Sequence, residues 1–336
     1  MNDTARPLPI GVLGTGSHLP PRVRGNDEIA AACGVGADWI VERTGVHHRH
    51  VVEPGVASSD LAAEAVRRAL ADANLTAADL DLIVLATSTP DELGPSTACR
   101  VQAAIGARRA VAFDIAAACS GWLFGARVAS DFLRANTGAR YAAVVGCEVY
   151  SPFIDPADRA TAVLFADGAA AAVLGPVPEG RGFAPIMLGS DGAHAGDVLI
   201  PAGGSRIPAS PTSLADGGHR VLMDGRAVRD FIMTIFPKAA HEALEREGLK
   251  PDDIDVILSH QPNPLLLRRA CEDAGFPAER LVVIGDETGN IGAGSLPYAL
   301  AEADATGRLR DGSRALLLAF GAGLTWGSSV LTWGTR

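Results

Sequence analysis

ALADANLTAADLDLIVL, from Ala69 to Leu85, and ALEREGLKPDDIDVILS, from Ala243 to Ser259, are one structural unit written twice. Each reads as the end of a helix, a short turn and a buried strand, with apolar strand runs Leu80–Leu85 and Ile254–Leu258. The copies start at positions 69 and 243, an offset of 174 residues. A second pair keeps that offset: RYAAVVG from Arg140 and RALLLAF from Arg314, each a strand-like run. Two matches at one spacing predict a duplicated fold. Helices alternate with buried apolar strands in both copies, which predicts βα units, mainly parallel sheets and an α/β class. The connector is expected near PVPEGRG, Pro176–Gly182, dividing the chain into halves 1–178 and 179–336. Pro201–Gly218, rich in Gly, Ser, Pro and Ala, reads as a long loop.

The bulk composition narrows the class of function. The chain has 336 residues, 48% hydrophobic and 20% charged, as expected of a soluble globular protein. A formal charge of −10 argues against a general nucleic-acid surface. Any anionic substrate must therefore meet a local basic patch. Five cysteines, Cys33, Cys99, Cys119, Cys147 and Cys271, form no CxxC pair, so reduced thiols in a cytoplasm are expected. The stretch Met1–Pro9 is polar, without the apolar core of a signal peptide, and no apolar run reaches the ~18 residues of a membrane span. The cluster His47, His48 and His50 matches no metal-ligand spacing and reads as a surface turn, and no metal is expected. Gly14-Thr15-Gly16-Ser17 reads as another turn.

Ligands of α/β sheets gather at the carboxyl ends of strands. Three such places carry chemistry. The strand-like run Ala110–Ile115 leads through small residues to Cys119, and a helix-compatible run follows from Ser120 to Arg134. A helix start offers unpaired N–H groups and partial positive charge, which favour a thiolate nucleophile and can receive an oxyanion. The other four cysteines read as core or incidental. The Ile254–Leu258 run ends at His260, where Pro262 and Pro264 stop the strand. Asn290 lies in ETGNIGAGSL, a glycine-rich loop before a helix-like run from Ser295. A phosphate cradle is the rival reading of that loop, although no Lys-Ser/Thr follows. Cys, His and Asn at such junctions form a coherent set for acyl transfer. The Cys attacks a thioester, and the His and Asn donate to a second thioester carbonyl as carbon dioxide leaves.

The chain resembles the β-ketoacyl-acyl-carrier-protein synthase III family of the thiolase-like superfamily over nearly its whole length. The resemblance rests on Gly11–Gly16 (GVLGTG), Asp38–Gly45 (DWIVERTG), Ala116–Gly121 (AAACSG), Asp155–Arg159 (DPADR), Phe165–Ala169 (FADGA), His260–Asn263 (HQPN), Gly289-Asn290 and Phe320–Ser328 (FGAGLTWGS). It implies a thiolase-like five-layered αβαβα fold, a homodimer and ping-pong acyl transfer. An acyl-CoA primer would load Cys119, and a malonyl thioester on a carrier protein or CoA would then decarboxylate and condense. His260 and Asn290 would serve decarboxylation, and the backbone N–H groups of Cys119 and Ala322 would form an oxyanion hole. Trp39 and Arg159 would sandwich the CoA adenine, Arg43 would meet its phosphates, and Asn263 would lie near the pantetheine or an active-site water. Phe320 would pack beside the nucleophile. CoA enters as a substrate, with no permanently bound cofactor.

Several positions depart from the family pattern. Pro264-Leu265 follow HQPN where an Arg-bearing pair is usual, and His47 replaces an Arg. Ala322 replaces a central Gly, and Arg229 stands where an apolar aromatic is common. The loop after Asn290 is Ile291-Gly292-Ala293-Gly294-Ser295. An acidic carrier protein needs a basic rim, here left to Arg226, Arg229, Arg268 and Arg269. Three activities remain open: priming condensation in fatty-acid or specialised polyketide-type biosynthesis, acyl transfer to an alcohol, amine or carrier thiol without condensation, and a non-catalytic assembly subunit. The acyl pocket is expected to depend on Ser88–Pro95, on Pro201–Ala215 and on the partner subunit.

Overall fold

A computed structural model describes residues 8–136 and 138–334, so Met1–Pro7 of the polar N-terminal stretch lie outside the described residues. The two sequence copies fold alike. In the first, the helix Ser58–Asp72 leads through a 3-10 turn, Ala77–Asp79, to the strand Leu82–Ala86. In the second, the helix Gly225–Glu247 leads through the turn Pro251–Asp253 to the strand Val256–Ser259. The other matched runs form the strands Ala142–Val149 and Arg314–Gly321, parallel to Leu82–Ala86 and to Val256–Ser259 respectively.

The duplication reaches single hydrogen bonds. Asp79 Oδ2 accepts the Thr76 N–H at 2.8 Å, and Asp253 Oδ2 accepts the Lys250 N–H at 2.8 Å. Asp81 Oδ2 accepts the Arg140 N–H at 2.7 Å, and Asp255 Oδ2 accepts the Arg314 N–H at 2.8 Å. Short acidic side chains satisfy backbone donors where no ladder can. Every one of these residues has its counterpart 174 positions away.

Two sheets result. The first runs Ile10–His18, Asp167–Pro176, Ala142–Val149, Leu82–Ala86, Val111–Ile115. The second runs Val256–Ser259, Arg314–Gly321, Thr325–Thr332, Gly182–Phe183, with Met187–Ser190 also on Thr325–Thr332. Both are mixed rather than mainly parallel. Arg314–Gly321 turns back through Ala322–Leu324 into Thr325–Thr332, and so short a connection can only return antiparallel. In the first sheet Asp167–Pro176 is likewise antiparallel to both its neighbours.

Side chains alternate between the faces of each sheet. Leu82 and Val84 of the first sheet meet Leu258 and Leu317 of the second in a central core, around the helices Gly121–Ala135 and Ser295–Ala305. Ile83 and Leu85 face outward against Ser58–Asp72 and Thr97–Ile105. Ile257, Leu316 and Leu318 face outward against Gly225–Glu247 and Pro264–Asp273. The order is therefore helix, sheet, helix, sheet, helix.

Three expectations change. Gly14-Thr15-Gly16-Ser17 is not a turn but the interior of the strand Ile10–His18. Its glycines let the helix Ser58–Asp72 lie against the backbone: a Cβ on Gly16 would stand 2.3 Å from Ala69 N, and one on Gly14 2.4 Å from Ala73 N. His48 and His50 belong to a short strand, His48–Val51, paired with Arg22–Gly25, and bond to Glu287 and to the Pro20 carbonyl. Pro201–Gly218 contains a short helix, Pro211–Ala215, capped by the Ser210 hydroxyl. Among the described residues no helix is long and apolar enough to cross a membrane.

The contact at Gly16 gives a test. Gly16→Ala should cost about 3 kcal/mol in urea denaturation, because the helix backbone must move away. Gly204→Ala, where nothing lies within 4 Å of the added carbon, should stay within about 0.5 kcal/mol.

Candidate active site

Cys119 sits in a 3-10 turn, Ala118–Ser120, between the strand Val111–Ile115 and the helix Gly121–Ala135. The chain bends sharply there. Ala118 has φ +46°, a left-handed conformation that a residue with a Cβ adopts at a cost of about 1 kcal/mol. Two tethers hold the bend. The Ser120 hydroxyl donates to the Ala117 carbonyl at 2.7 Å, and the Thr325 hydroxyl donates to the same carbonyl at 3.1 Å. Thr325 follows the Ala322–Leu324 turn of the second sheet, so this tether also sets Ala322 beside Cys119 on the wall of one cavity.

The pseudo-symmetric counterpart of Ala118–Ser120 is the 3-10 turn Gly292–Gly294, again 174 residues on and again leading into a central helix. Cys119 therefore corresponds to Ala293, and Asn290 precedes that turn. Asn290 is pinned on both sides: its N–H donates to the Leu164 carbonyl at 2.8 Å, and its own carbonyl accepts the Ala166 N–H at 3.0 Å. Arg49 supports this bridge from beneath, donating to the Val163 carbonyl from full burial, which holds its guanidinium down at about 10.

His260 follows the strand Val256–Ser259 directly and continues its ladder, donating its N–H to the Leu318 carbonyl at 3.0 Å. Its Nε2 lies 3.2 Å from Asn290 Oδ1. That oxygen also accepts the Gly292 N–H at 2.9 Å. An atom bonded to a backbone N–H is the amide oxygen, so the imidazole must donate to it and carries its proton on Nε2. Nδ1 is then a bare, buried acceptor with no partner among the described residues. Burial holds the ring at about 4, although the bond to Asn290 pulls the other way. The imidazole is neutral at pH 7.

The nucleophile differs from its expectation. A helix start predicts a standing thiolate, but burial pushes the Cys119 thiol up to about 12, with repulsion from Glu148 adding to it. The sulfur is protonated at rest.

Cys119, His260 and Asn290 line one cavity of about 1000 Å³. Trp39, Arg43, Arg159, Asn263, Phe320 and Ala322 line it too. Arg43 lies over the Trp39 ring, 6.0 Å from its centroid. Asn263 is occupied within the protein: its Oδ1 caps the helix Pro264–Asp273 through the Leu266 N–H, and its Nδ2 donates to the Arg43 carbonyl. It ties two cavity walls together rather than presenting both polar ends inward. At the rim Arg229 pairs with Asp230, and Arg269 lies 3.7 Å from Asp273. Cys33, Cys99, Cys147 and Cys271 lie off the cavity wall. Sequence reasoning missed Tyr150 on that wall and Glu148 behind it. The one available signal was a lone acid in an otherwise apolar strand run, VVGCEV.

The profile of 3-oxoacyl-[acyl-carrier-protein] synthase III matches residues 113–192, and that of its C-terminal portion matches residues 244–333. A β-ketoacyl-[acyl-carrier-protein] synthase III of Caldanaerobacter subterraneus is 44% identical over 97% of this chain and 98% of its own. Among solved structures, the Thermus thermophilus synthase III superposes with a TM-score of 0.88 at 40% identity, covering 97% of this chain and 100% of that one. The priming β-ketosynthase of the R1128 polyketide pathway superposes with a TM-score of 0.88 at 32% identity, over 97% and 96%. Whole-length identity, matched family segments and a shared fold agree: the chain belongs to the thiolase-like β-ketoacyl-[acyl-carrier-protein] synthase III family of acyltransferases.

Proposed function

We propose that this chain takes an acyl group from an acyl-CoA onto Cys119 and condenses it with a malonyl thioester, with loss of carbon dioxide. The observation that carries this is the convergence of Cys119, His260 and Asn290 on one cavity. The Cys119 sulfur attacks the acyl carbonyl, and the backbone N–H groups of Cys119 and Ala322 receive the oxyanion. Trp39 and Arg159 hold the CoA adenine, and Arg43 meets the phosphates. The apolar wall at Val198, Ile200 and Phe231 suits the uncharged pantetheine arm and acyl chain. CoA leaves, and the malonyl thioester takes its place. Its carbonyl oxygen accepts from Asn290 Nδ2 and His260 Nε2–H. The 3.2 Å contact between Nε2 and Asn290 is long enough to be shared with an incoming carbonyl. The carboxylate then departs as carbon dioxide, and the enolate carbon attacks the acyl carbon on Cys119, which releases the sulfur.

Simple acyl transfer to an alcohol, amine or carrier thiol remains the second reading, favoured by the acid-paired arginines of the rim. The intact His260–Asn290 pair supports condensation, because only an enolate needs both donors. The same reading places the chain in the cytoplasm as a homodimer. The malonyl group would arrive on a carrier protein or on CoA, in fatty-acid or polyketide priming.

Asn290→Ala should lower release of carbon dioxide from malonyl thioesters about a hundredfold or more while Cys119 is still acylated. Mass spectrometry of the intact protein reads the acyl adduct, and ester or amide product without a new C–C bond would establish the second reading. Cys119→Ser should lose the thioester adduct.

The pH dependence has a fixed sign. His260 donates as a neutral ring held at about 4, so decarboxylation by pre-acylated enzyme should show no break near 6.5. Between 6.5 and about 4 the unfolded chain binds the proton that the folded chain refuses, so stability should fall as pH drops through that window. Urea denaturation at several pH values, compared with His260→Gln, checks this.

A further inference from the structure

The reaction above leaves Glu148 unused, yet its carboxylate is buried behind the cavity wall. Side chains alternate along its strand, Ala142–Val149. Ala143, Val145 and Cys147 pack in the outer core, and Ala142 and Val144 in the central one. Gly146 and Glu148 continue the central row. Both carry the turn Gly292–Gly294 of the other half. A Cβ on Gly294 would stand 3.1 Å from the Gly146 carbonyl oxygen, and one on Gly292 would stand 2.6 Å from Glu148 Cγ and 3.0 Å from its Oε1. The Tyr150 ring closes the same space, 3.0 Å from the carbon added to Gly292, and packs on Phe165 with 4.8 Å between centroids. The Gly292 backbone therefore rests on the Glu148 side chain.

The carboxylate is held from its other side by the loop Thr87–Thr89, which follows the strand Leu82–Ala86. The Ser88 N–H approaches Oε1 at 3.1 Å and Oε2 at 3.0 Å, and the Thr89 hydroxyl donates to Oε2 at 2.9 Å. The Thr87 hydroxyl stands 3.5 Å from the same oxygen. These partners are all donors, and none is a cation. Two acceptor oxygens on one side chain answer them, as only a carboxylate can. Glu148 thus joins a loop of the first half to a turn of the second.

The two sides differ in what else holds them. The loop keeps ties that do not use Glu148. The Thr89 N–H donates to the Thr87 hydroxyl at 3.0 Å, the Ser58 hydroxyl donates to the Thr89 carbonyl at 2.6 Å, and the Val149 N–H donates to the Thr89 hydroxyl at 2.8 Å. Ser88 therefore stays on the cavity wall without the carboxylate. On the other side, the Gly292 N–H is what fixes the Asn290 amide, donating to Oδ1 at 2.9 Å. The same oxygen takes His260 Nε2–H at 3.2 Å. If Gly292 sinks into the space of a missing side chain, that oxygen loses its backbone donor, and the amide is free to turn Nδ2 away from the substrate.

We propose that Glu148 is a positioning residue for the decarboxylation half of the reaction: held by the Thr87–Thr89 donors, it supports the Gly292 turn that aims the Asn290 amide at the malonyl carbonyl. The proposal rests on the condensation reading stated above. Glu148 touches neither substrate nor sulfur in this role. It acts through Gly292 on Asn290, and loading of Cys119, which uses neither, does not depend on it.

The test compares two rates in the full chain. One is loading of Cys119, read by intact mass, from whichever of acetyl-, isobutyryl- or octanoyl-CoA loads the wild type fastest. The other is release of carbon dioxide by the loaded enzyme, from malonyl-CoA or a malonyl carrier protein, whichever the wild type decarboxylates. Glu148→Ala should lower kcat for release about a hundredfold and leave the loading rate close to wild type. Glu148→Gln, which keeps the bulk under Gly292 and one acceptor oxygen, should recover release to within about tenfold of wild type. Equal losses in both rates, or wild-type release by Glu148→Ala, would overturn the role and leave Glu148 a part of the framework alone. If Glu148→Ala shows no folded circular dichroism, Gly292→Ala, whose added carbon meets Glu148 Cγ, carries the same comparison. A wild type that loads but releases no carbon dioxide ends the condensation reading and this role with it. Wild-type release with equal losses in the variants ends this role alone.

Discussion

The site depends on the close approach of two 3-10 turns, Ala118–Ser120 and Gly292–Gly294, at the pseudo-twofold centre of the molecule. The contact is too tight for an ordinary side chain between them and the sheet. A Cβ on Gly146 would lie 2.1 Å from the Ala293 carbonyl oxygen. Each turn follows an element of its own half and launches one of the two central helices. Their meeting places a thiol from one half against an imidazole and an amide from the other. The same approach packs the second turn on Glu148, where a Cβ on Gly292 would stand 2.6 Å from Cγ.

Within that support the thiol and the imidazole rest neutral. Burial pushes the Cys119 thiol up to about 12, holds His260 at about 4 and lifts Glu148 to about 7. A site of this kind avoids the cost of buried standing charges and meets charge where it develops, with N–H groups already in position. The helix start at Gly121 then matters less for the resting thiol than for the oxyanion formed beside it. In the nucleophile turn strain falls on Ala118, whose left-handed backbone precedes Cys119 on the cavity wall while Ser120 and Thr325 hold the Ala117 carbonyl.

Much of this was legible in the chain. Buried β-strands advertise themselves as apolar runs, and the 174-residue offset tied Asp81 to Asp255 and Asp79 to Asp253 before any coordinates. Cys119 and His260 could be singled out because small residues or prolines end a strand where ligands gather. Other features were not legible. The parallel expectation failed where Ala322–Leu324 makes a short return, because connection length, not strand composition, sets strand direction. Gly14 and Gly16 looked like a turn because a glycine that admits a helix backbone and one that admits a positive φ are the same letter. Arg49 sat inside a histidine cluster that drew attention to the wrong chemistry.

By itself the sequence determined the duplicated α/β framework and its family, and it singled out the three residues proposed as the catalytic set, since periodicity and local motif encode these directly. Only the tertiary structure decided the protonation of those residues, the tautomer of His260, the inward-tied role of Asn263 and the burial of Glu148 behind the cavity. The reason is physical. Desolvation and hydrogen-bond direction depend on which groups from distant segments are buried together, and the order of residues along a strand does not carry that.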